Sequence, residues 1–202
     1  MLHENERRVE SQGMFKGVFE EVLSQFKLRS LRRNTLSNYA ECPFVLSGEL
    51  YTLEAHVGLP HDEPIIRLAM IDTSRNWPTL TFNGLPFSLS EKEILKLQYE
   101  FFQEGSTIVI TPYAFTRPEY TGRGFMTGLV LNSRQVVDYL ISQNADYFKE
   151  KEIFIEIEDV AKDQRTGKYS GFSSNLAKSM GFTYFNDLMK WKLKYAPFNP
   201  TP

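Results

Sequence analysis

The sequence is poor in the residues that build covalent or metal frameworks. Cys42 is the one cysteine in 202 residues. A single thiol excludes an internal disulfide framework and any cysteine-cluster metal site, and it fits a reducing compartment. His3, His56 and His61 follow no ligand spacing, so no metal is expected. Basic charge is not in excess either: 23 Lys and Arg stand against 25 Asp and Glu, for a net charge of −2. That balance speaks against nucleic acid as a partner. No apolar run approaches the roughly 20 residues of a membrane-crossing helix. The opening "MLHENERRVE" is polar and charged, unlike a secretory signal. The expectation is a cytoplasmic protein with no membrane partner. Fixed-period repeats and low-complexity tracts are also missing.

Apolar mass is plentiful. The chain is 42% hydrophobic, with 16 Phe and 10 Tyr, which is enough for a sizeable core. The length suits one domain over 1–202, opened by a helical segment within 1–40.

Residues 3–28 read as helix, because Phe15, Val18, Phe19, Val22, Leu23 and Phe26 recur at helical spacing. Lys27, Arg29, Arg32 and Arg33 follow as a basic cluster, favoured at a helix C-terminus. "FVLSGELYTLEAHVG" and "IIRLAMIDTSRNW" read as two strands joined by the turn "LPHDEP". "TLTFNGLPFSL" reads as a loop or short strand. Ser90 and Glu93 form an S-x-x-E capping box, with Leu89 and Ile94 as staple, so a helix is expected to about Gln103. "STIVITPYAF" is a strand that Pro112 should demote or bulge. After it, Met126, Leu129, Val130, Val137, Leu140 and Ile141 share one helical face. "EIFIEIEDV" alternates as a strand with one polar face carrying Glu152, Glu156 and Glu158. "SSNLAKSM" reads as a short helix, and "FTYFNDLMKWKLKY" as one or two final strands. The second half thus runs strand, glycine loop, helix, strand, helix, strand, which implies parallel pairing. The first half implies antiparallel pairing. The expected fold is α/β (α+β): a mixed, mostly antiparallel sheet flanked by helices.

The glycine loop "PEYTGRGFMTG", 118–128, sits between a strand and a helix. Helix N-termini carry unpaired N–H groups and partial positive charge, and glycines let a backbone approach an anion closely. Gly122 and Gly124 would aim the amides of residues 123–127 at a phosphate, with Arg123 adding a charge-assisted bond. No lysine follows as Walker A requires. The dinucleotide fingerprint would need its third glycine one position before Gly128, and an acid about 20 residues on rather than about 35. A tight turn with nothing bound is the alternative reading. Arg75 and Trp77, in "SRNWP", either line an acceptor pocket or pack.

"FTRPEYTGRGFMTGLV" after a strand, then a helix, the "IFIEI" strand, a short helix ending in "MGF" and the "DLMKWKL" strand resembles the GCN5-related N-acyltransferase superfamily over about 106–194. The resemblance implies a parallel pair between the fourth and fifth strands that splays apart. It makes 106–194 the acyl-coenzyme-A-binding half, with acetyl-CoA or another acyl-CoA as substrate and an amine as acceptor. Strand-end residues Ala114, Phe115 and Thr116 would bind the pantetheine arm. Thr121, Gly122, Arg123, Gly124, Phe125, Met126 and Thr127 would wrap the pyrophosphate. Gly124 matches the family's glycine. Thr121 stands where Gln or Arg is usual, and Met126 where Gly or Ala is usual. The family's general-acid tyrosine falls on Ala177, so Tyr169 and Tyr184 are the substitutes. Glu158 would be the general base, with Glu156 or a water chain as alternatives. The implied activity is acetyl transfer by direct attack of the amine on the thioester; a longer acyl chain stays open, as does homodimer formation. The alternative is a catalytically inactive relative acting as a ligand- or protein-binding module.

Overall fold

The computed structural model describes residues 13, 15–27, 37–58, 64–81, 88–157, 183–185 and 190–194. Residues 15–27 form helix α1. Phe15, Phe19, Val22 and Phe26 are fully buried on the expected spacing, and Leu23 packs against the same core. Each buried aromatic or aliphatic side chain contributes about 1.5–3 kcal/mol. Lys27 is exposed; Arg29, Arg32 and Arg33, and the expected helical residues before 13, lie outside the described residues.

Strands β1 (Ser37–Leu46) and β2 (Glu49–Gly58) form a hairpin where the sequence reads as one strand. Ser47 and Gly48 both have positive φ, 52° and 82°. Two such residues make the turn whose twist matches paired strands. Along β2, Tyr51, Leu53, Ala55 and Val57 are buried and alternate with Thr52, Glu54 and His56. β1 lies at one end of the sheet, and Pro43 stands opposite Thr52 in an unshifted ladder.

β3 (Ile65–Ile71) follows, then the short pair β4 (Leu80–Thr81) and β5 (Ser88–Leu89). The helix expected over 90–103 does not form; Glu93–Glu104 is strand β6. Half of the capping box survives as a turn. The Ser90 amide donates to the Glu93 carboxylate at 2.6 Å, and the Glu93 amide donates to the Ser90 carbonyl at 3.2 Å. Beyond it, Leu95, Leu97, Tyr99 and Phe101 alternate into the core. Lys96 and Gln98 lie on the other face, where Lys96 pairs with Glu93 at 2.9 Å. A strand paired on both edges with a continuous apolar row outweighs a local cap signal.

β7 (Thr107–Thr116) pairs antiparallel with β6 over its whole length, so Pro112 neither ends nor bulges it. β8 (Glu152–Ile157) pairs with β7 in parallel, but only from Thr107–Glu152 to Ile110–Ile155. Pro112, two residues on, has no N–H to donate to a neighbour. β9 (Thr183–Phe185) and β10 (Lys190–Lys194) complete the order β1-β2-β3-β6-β7-β8-β10-β9. β10 is antiparallel to β8, so the second expected parallel crossover is absent from the described strands. The parallel pair is β7–β8, not the fourth and fifth strands in chain order. The hairpin, the β4–β5 pair and β6 add strands ahead of it.

Helix α2 (Phe125–Gln143) buries Met126, Leu129, Val130, Val137 and Leu140, as the spacing predicts, and Ile141 packs at the edge. The Tyr99 and Ser133 hydroxyls meet at 2.5 Å and tie β6 to α2. The short helix α3 (Ala145–Phe148) leads into β8.

Candidate functional site

The glycine loop joins β7 to α2, and three layers of contacts fix where it starts. Innermost is Arg117, immediately after β7 and 2% exposed. Its guanidinium donates to the carbonyls of Glu93 at 2.7 Å, Ser90 at 2.7 Å and Pro78 at 2.9 Å. It also lies 5.6 Å from the centroid of the Trp77 ring. One buried cation thus holds the end of β7, the start of β6 and the β3–β4 connection together.

Next comes a single 3-10 turn, Pro118–Tyr120. Tyr120 is buried, and its hydroxyl donates to Asp72 Oδ2 at 2.8 Å. Trp77 packs edge-on against its ring at 5.8 Å. Burial, with the bond and charge of Asp72, pushes the Tyr120 hydroxyl up to about 12. Burial alone would raise the Asp72 carboxyl. The Ser74 hydroxyl and amide, the Tyr120 hydroxyl and the charge of Arg75 outweigh it and leave the Asp72 pKa below the ordinary value.

The outermost layer is the loop itself. Gly122 and Gly124 both lie in the left-handed region, φ 81° and 79°, where a Cβ is strained. Gly124 is the N-cap of α2, and no side chain caps the helix. The first amides of a helix have no intrahelical partner, and here they belong to Phe125, Met126 and Thr127. The helix ladder opens with the Gly128 amide donating to the Gly124 carbonyl at 2.9 Å. The Phe125 and Met126 side chains turn into the core. Phe125 meets Tyr51 at 5.8 Å and Tyr120 at 6.3 Å. These two residues can therefore meet a ligand only through their amides. Met126, the long side chain where a small one is usual, is buried beneath the loop.

Arg123 is already engaged. Its guanidinium lies 4.7 Å from the Tyr120 ring centroid and 3.8 Å from Glu49 Oε2. Glu49 also accepts a hydrogen bond from the Tyr51 hydroxyl. Both ionic side chains are about half exposed, and such pairs contribute little.

Ala114, Phe115 and Thr116 are the last three residues of β7, past its final rung with β8, and all are half-buried. Among the described residues, the Thr116 hydroxyl and the Trp77 indole Nε1 are buried without a hydrogen-bond partner. Glu156, expected on a solvated face, is 3% exposed. Glu158, Tyr169 and Ala177 lie outside the described residues. For Tyr184 the backbone is described, opposite Trp191 in the β9–β10 ladder. Burial and Arg67 lower the His56 pKa, which favours a neutral ring. Among the described residues no group of three or more His, Cys, Asp or Glu could hold a metal ion, and no helix is long and apolar enough to cross a membrane. Sequence reasoning missed Arg117, Asp72 and Tyr120. The one hint was an arginine preceding a proline at a strand end. No protein-family model matches this sequence, and no curated protein is significantly similar to it.

Proposed function

We propose that this chain is an acyl-coenzyme-A-dependent N-acyltransferase related to the GCN5-type enzymes, acting in the cytoplasm. One observation carries the reading. β7 and β8 run parallel up to Ile110 and Ile155, and beyond that rung β7, still paired with β6, continues to a glycine loop and a helix N-terminus capped by no side chain. The end of β7, Ala114 to Thr116, beside this loop is the place for an extended pantetheine arm. Amide donors for the pyrophosphate follow directly.

The chemistry is direct transfer, with acetyl as the default group. The acceptor amine attacks the thioester carbonyl; the new N–C bond forms and the C–S bond breaks. An amide near the end of β7 stabilises the oxyanion. A base, Glu158 or the buried Glu156, takes the amine proton. An acid, Tyr169 or Tyr184, returns one to the leaving thiolate. Pyrophosphate is held by the amides of 122–127, with Arg123 a minor contributor because Tyr120 and Glu49 already hold it.

The test is calorimetry of the full chain with coenzyme A and acetyl-CoA. Binding in the micromolar range, followed by thiol release with an amine present, is expected. No heat at high micromolar ligand, with the protein folded, ends the proposal. A non-catalytic binding relative is the second reading, favoured by the engaged Arg123; it is distinguished by coenzyme A binding without thiol release from any amine.

A further inference from the structure

Away from the glycine loop, the sheet register lines up one polar rung across β1, β2, β3, β6 and β7. Tyr39 stands opposite His56, His56 opposite Arg67, Arg67 opposite Gln98 and Gln98 opposite Tyr113. Residues opposite one another on antiparallel strands share a face, with Cβ atoms about 4.5–5.5 Å apart. This face is turned away from α1 and α2. Tyr51, Leu53, Ala55 and Val57, which alternate with His56 along β2, are the residues packed into the helices' core. The His56 ring leans towards Gly58, where an added Cβ would stand 3.1 Å from Cε1. Arg67 is exposed and His56 half-buried.

Arg67 is not a loose surface cation. Its Nε donates to Gln98 Oε1 at 3.1 Å, and Gln98 Nε2 donates to Glu100 Oε1 at 2.7 Å. Gln98 is 3% exposed, so this relay is anchored in the sheet. It uses Nε and leaves Nη1 and Nη2. Among the described residues neither terminal nitrogen finds an acceptor, and no carboxylate forms a salt bridge with the guanidinium. The carboxylates on flanking positions are turned elsewhere. Glu100 accepts from Gln98, Glu41 accepts from the Tyr39 hydroxyl, and Glu93 pairs with Lys96. Glu54 has Lys96 as its cationic neighbour. The His56 ring also forms no hydrogen bond with a described residue, and burial with the Arg67 charge favours its neutral form.

The two neighbours ask for the same partner. A guanidinium whose Nε is taken still offers a planar fork of N–H donors, suited to two oxygens of one anion. A neutral imidazole adds one N–H donor. Binding to a side chain that is already held in place avoids much of the ordering cost. We propose that Arg67 and His56 form an oxyanion site on the sheet face opposite α1 and α2, one that takes a carboxylate or a phosphate group. The site does not rest on the acyltransferase reading. The bound charge also offsets the repulsion between Arg67 and a protonated His56, so it draws a proton onto the ring. The charged and titratable neighbours of that ring are Tyr39 and Glu41 on β1, Glu54 on β2 and Arg67 on β3.

The test is NMR of the His56 ring in the full chain. The protein is titrated with sodium phosphate and, separately, with sodium acetate, each against sodium chloride at matched ionic strength. His56 signals are assigned by their loss in His56→Gln. They should move saturably with at least one of the two oxyanions and not with chloride, and the ring should titrate at higher pH with the anion bound. Arg67→Gln, a change at an exposed position, should weaken binding at least tenfold, about 1.4 kcal/mol. Tighter binding of phosphate assigns the site to phosphate-bearing ligands; tighter binding of acetate assigns it to carboxylates. No saturable shift with either oxyanion, the same shift with chloride, or equal binding by Arg67→Gln overturns the site. None of these outcomes touches coenzyme A binding, which tests the acyltransferase reading separately.

Discussion

Gly128 of α2 lies directly beneath Phe15 of α1: a Cβ built on the glycine would stand 2.6 Å from Phe15 Cδ2. The glycine that a nucleotide-binding fingerprint would need one position earlier thus serves helix packing. Gly128→Ala would gain up to about 1 kcal/mol of helix propensity but push a fully buried ring out of its place. Overpacking of this kind costs about 1–3 kcal/mol, so a net loss of about 1 kcal/mol or more is expected in urea denaturation. Phe15→Leu should recover part of it, and the double-mutant cycle should show coupling.

Arg117→Met removes a buried cation and strands three carbonyls. Hydrogen bonds to charged groups contribute about 1.5–3 kcal/mol each, less what the replacement recovers. A loss of about 3 kcal/mol or more is expected, visible as a lowered denaturation midpoint. Arg117→Lys should recover only part of it, because an ammonium cannot span three carbonyls in a planar fork. Equal stability of the lysine variant and the parent would contradict the geometry.

Asp72 and Tyr120 give opposite pH signatures. The Asp72 pKa is depressed on folding. Its contribution is present above the unfolded value, near 4, and is lost as pH falls through the folded value. The Tyr120 pKa is raised from 10.0 to about 12. Its contribution is present below pH 10 and lost between about 10 and 12. Stability against pH should therefore slope down at both ends. Asp72→Asn should flatten the acid limb and Tyr120→Phe the alkaline one. Unchanged limbs in both variants would show that the bond at 2.8 Å does not govern either titration.

Gly124→Val places a branched side chain at φ 79° at the head of α2. The left-handed conformation costs a residue with a Cβ about 1–2 kcal/mol. Coenzyme A affinity should also fall at least tenfold, about 1.4 kcal/mol. Arg123→Ala should cost less in both measurements, since it removes a half-exposed charge and a ring contact and leaves the amides in place. If the arginine variant binds coenzyme A more weakly than the valine variant, the side chain rather than the backbone holds the anion.

Glu158→Gln separates the two candidate bases, Glu158 and Glu156. If Glu158 takes the amine proton, turnover near neutral pH should drop roughly 10²- to 10⁴-fold, and less at high pH, where the amine is already deprotonated. Unchanged turnover assigns the role to Glu156 or to water.

Periodicity made part of this molecule legible. Phe15 to Phe26, the Met126 to Ile141 face and the alternation in "EIFIEI" each reflect local geometry that one element imposes on its own residues. The same rule would have found β6: "LKLQYEF" alternates apolar and polar residues. The four-residue capping box drew attention instead, and its carboxylate–amide bond forms at the head of a strand as readily as at the head of a helix. The site was half legible. Gly122 and Gly124 announce a loop because positive φ selects glycine. The Asp72–Tyr120 bond joins residues 48 apart, and Arg117 reaches carbonyls 24, 27 and 39 positions away. No spacing rule connects such partners; only the sheet order does.

Pro43 gives the sheet a boundary. In an unshifted ladder a proline fits where its nitrogen points away from the partner strand, so the gap it leaves is on the outer side of β1. Glu41 and Val45 flank it, one charged and one apolar, both exposed. A strand arriving from another copy would meet a row of donors interrupted at its middle, with a carboxylate beside the break. The ten-residue edge therefore offers no continuous template to a strand arriving from another copy.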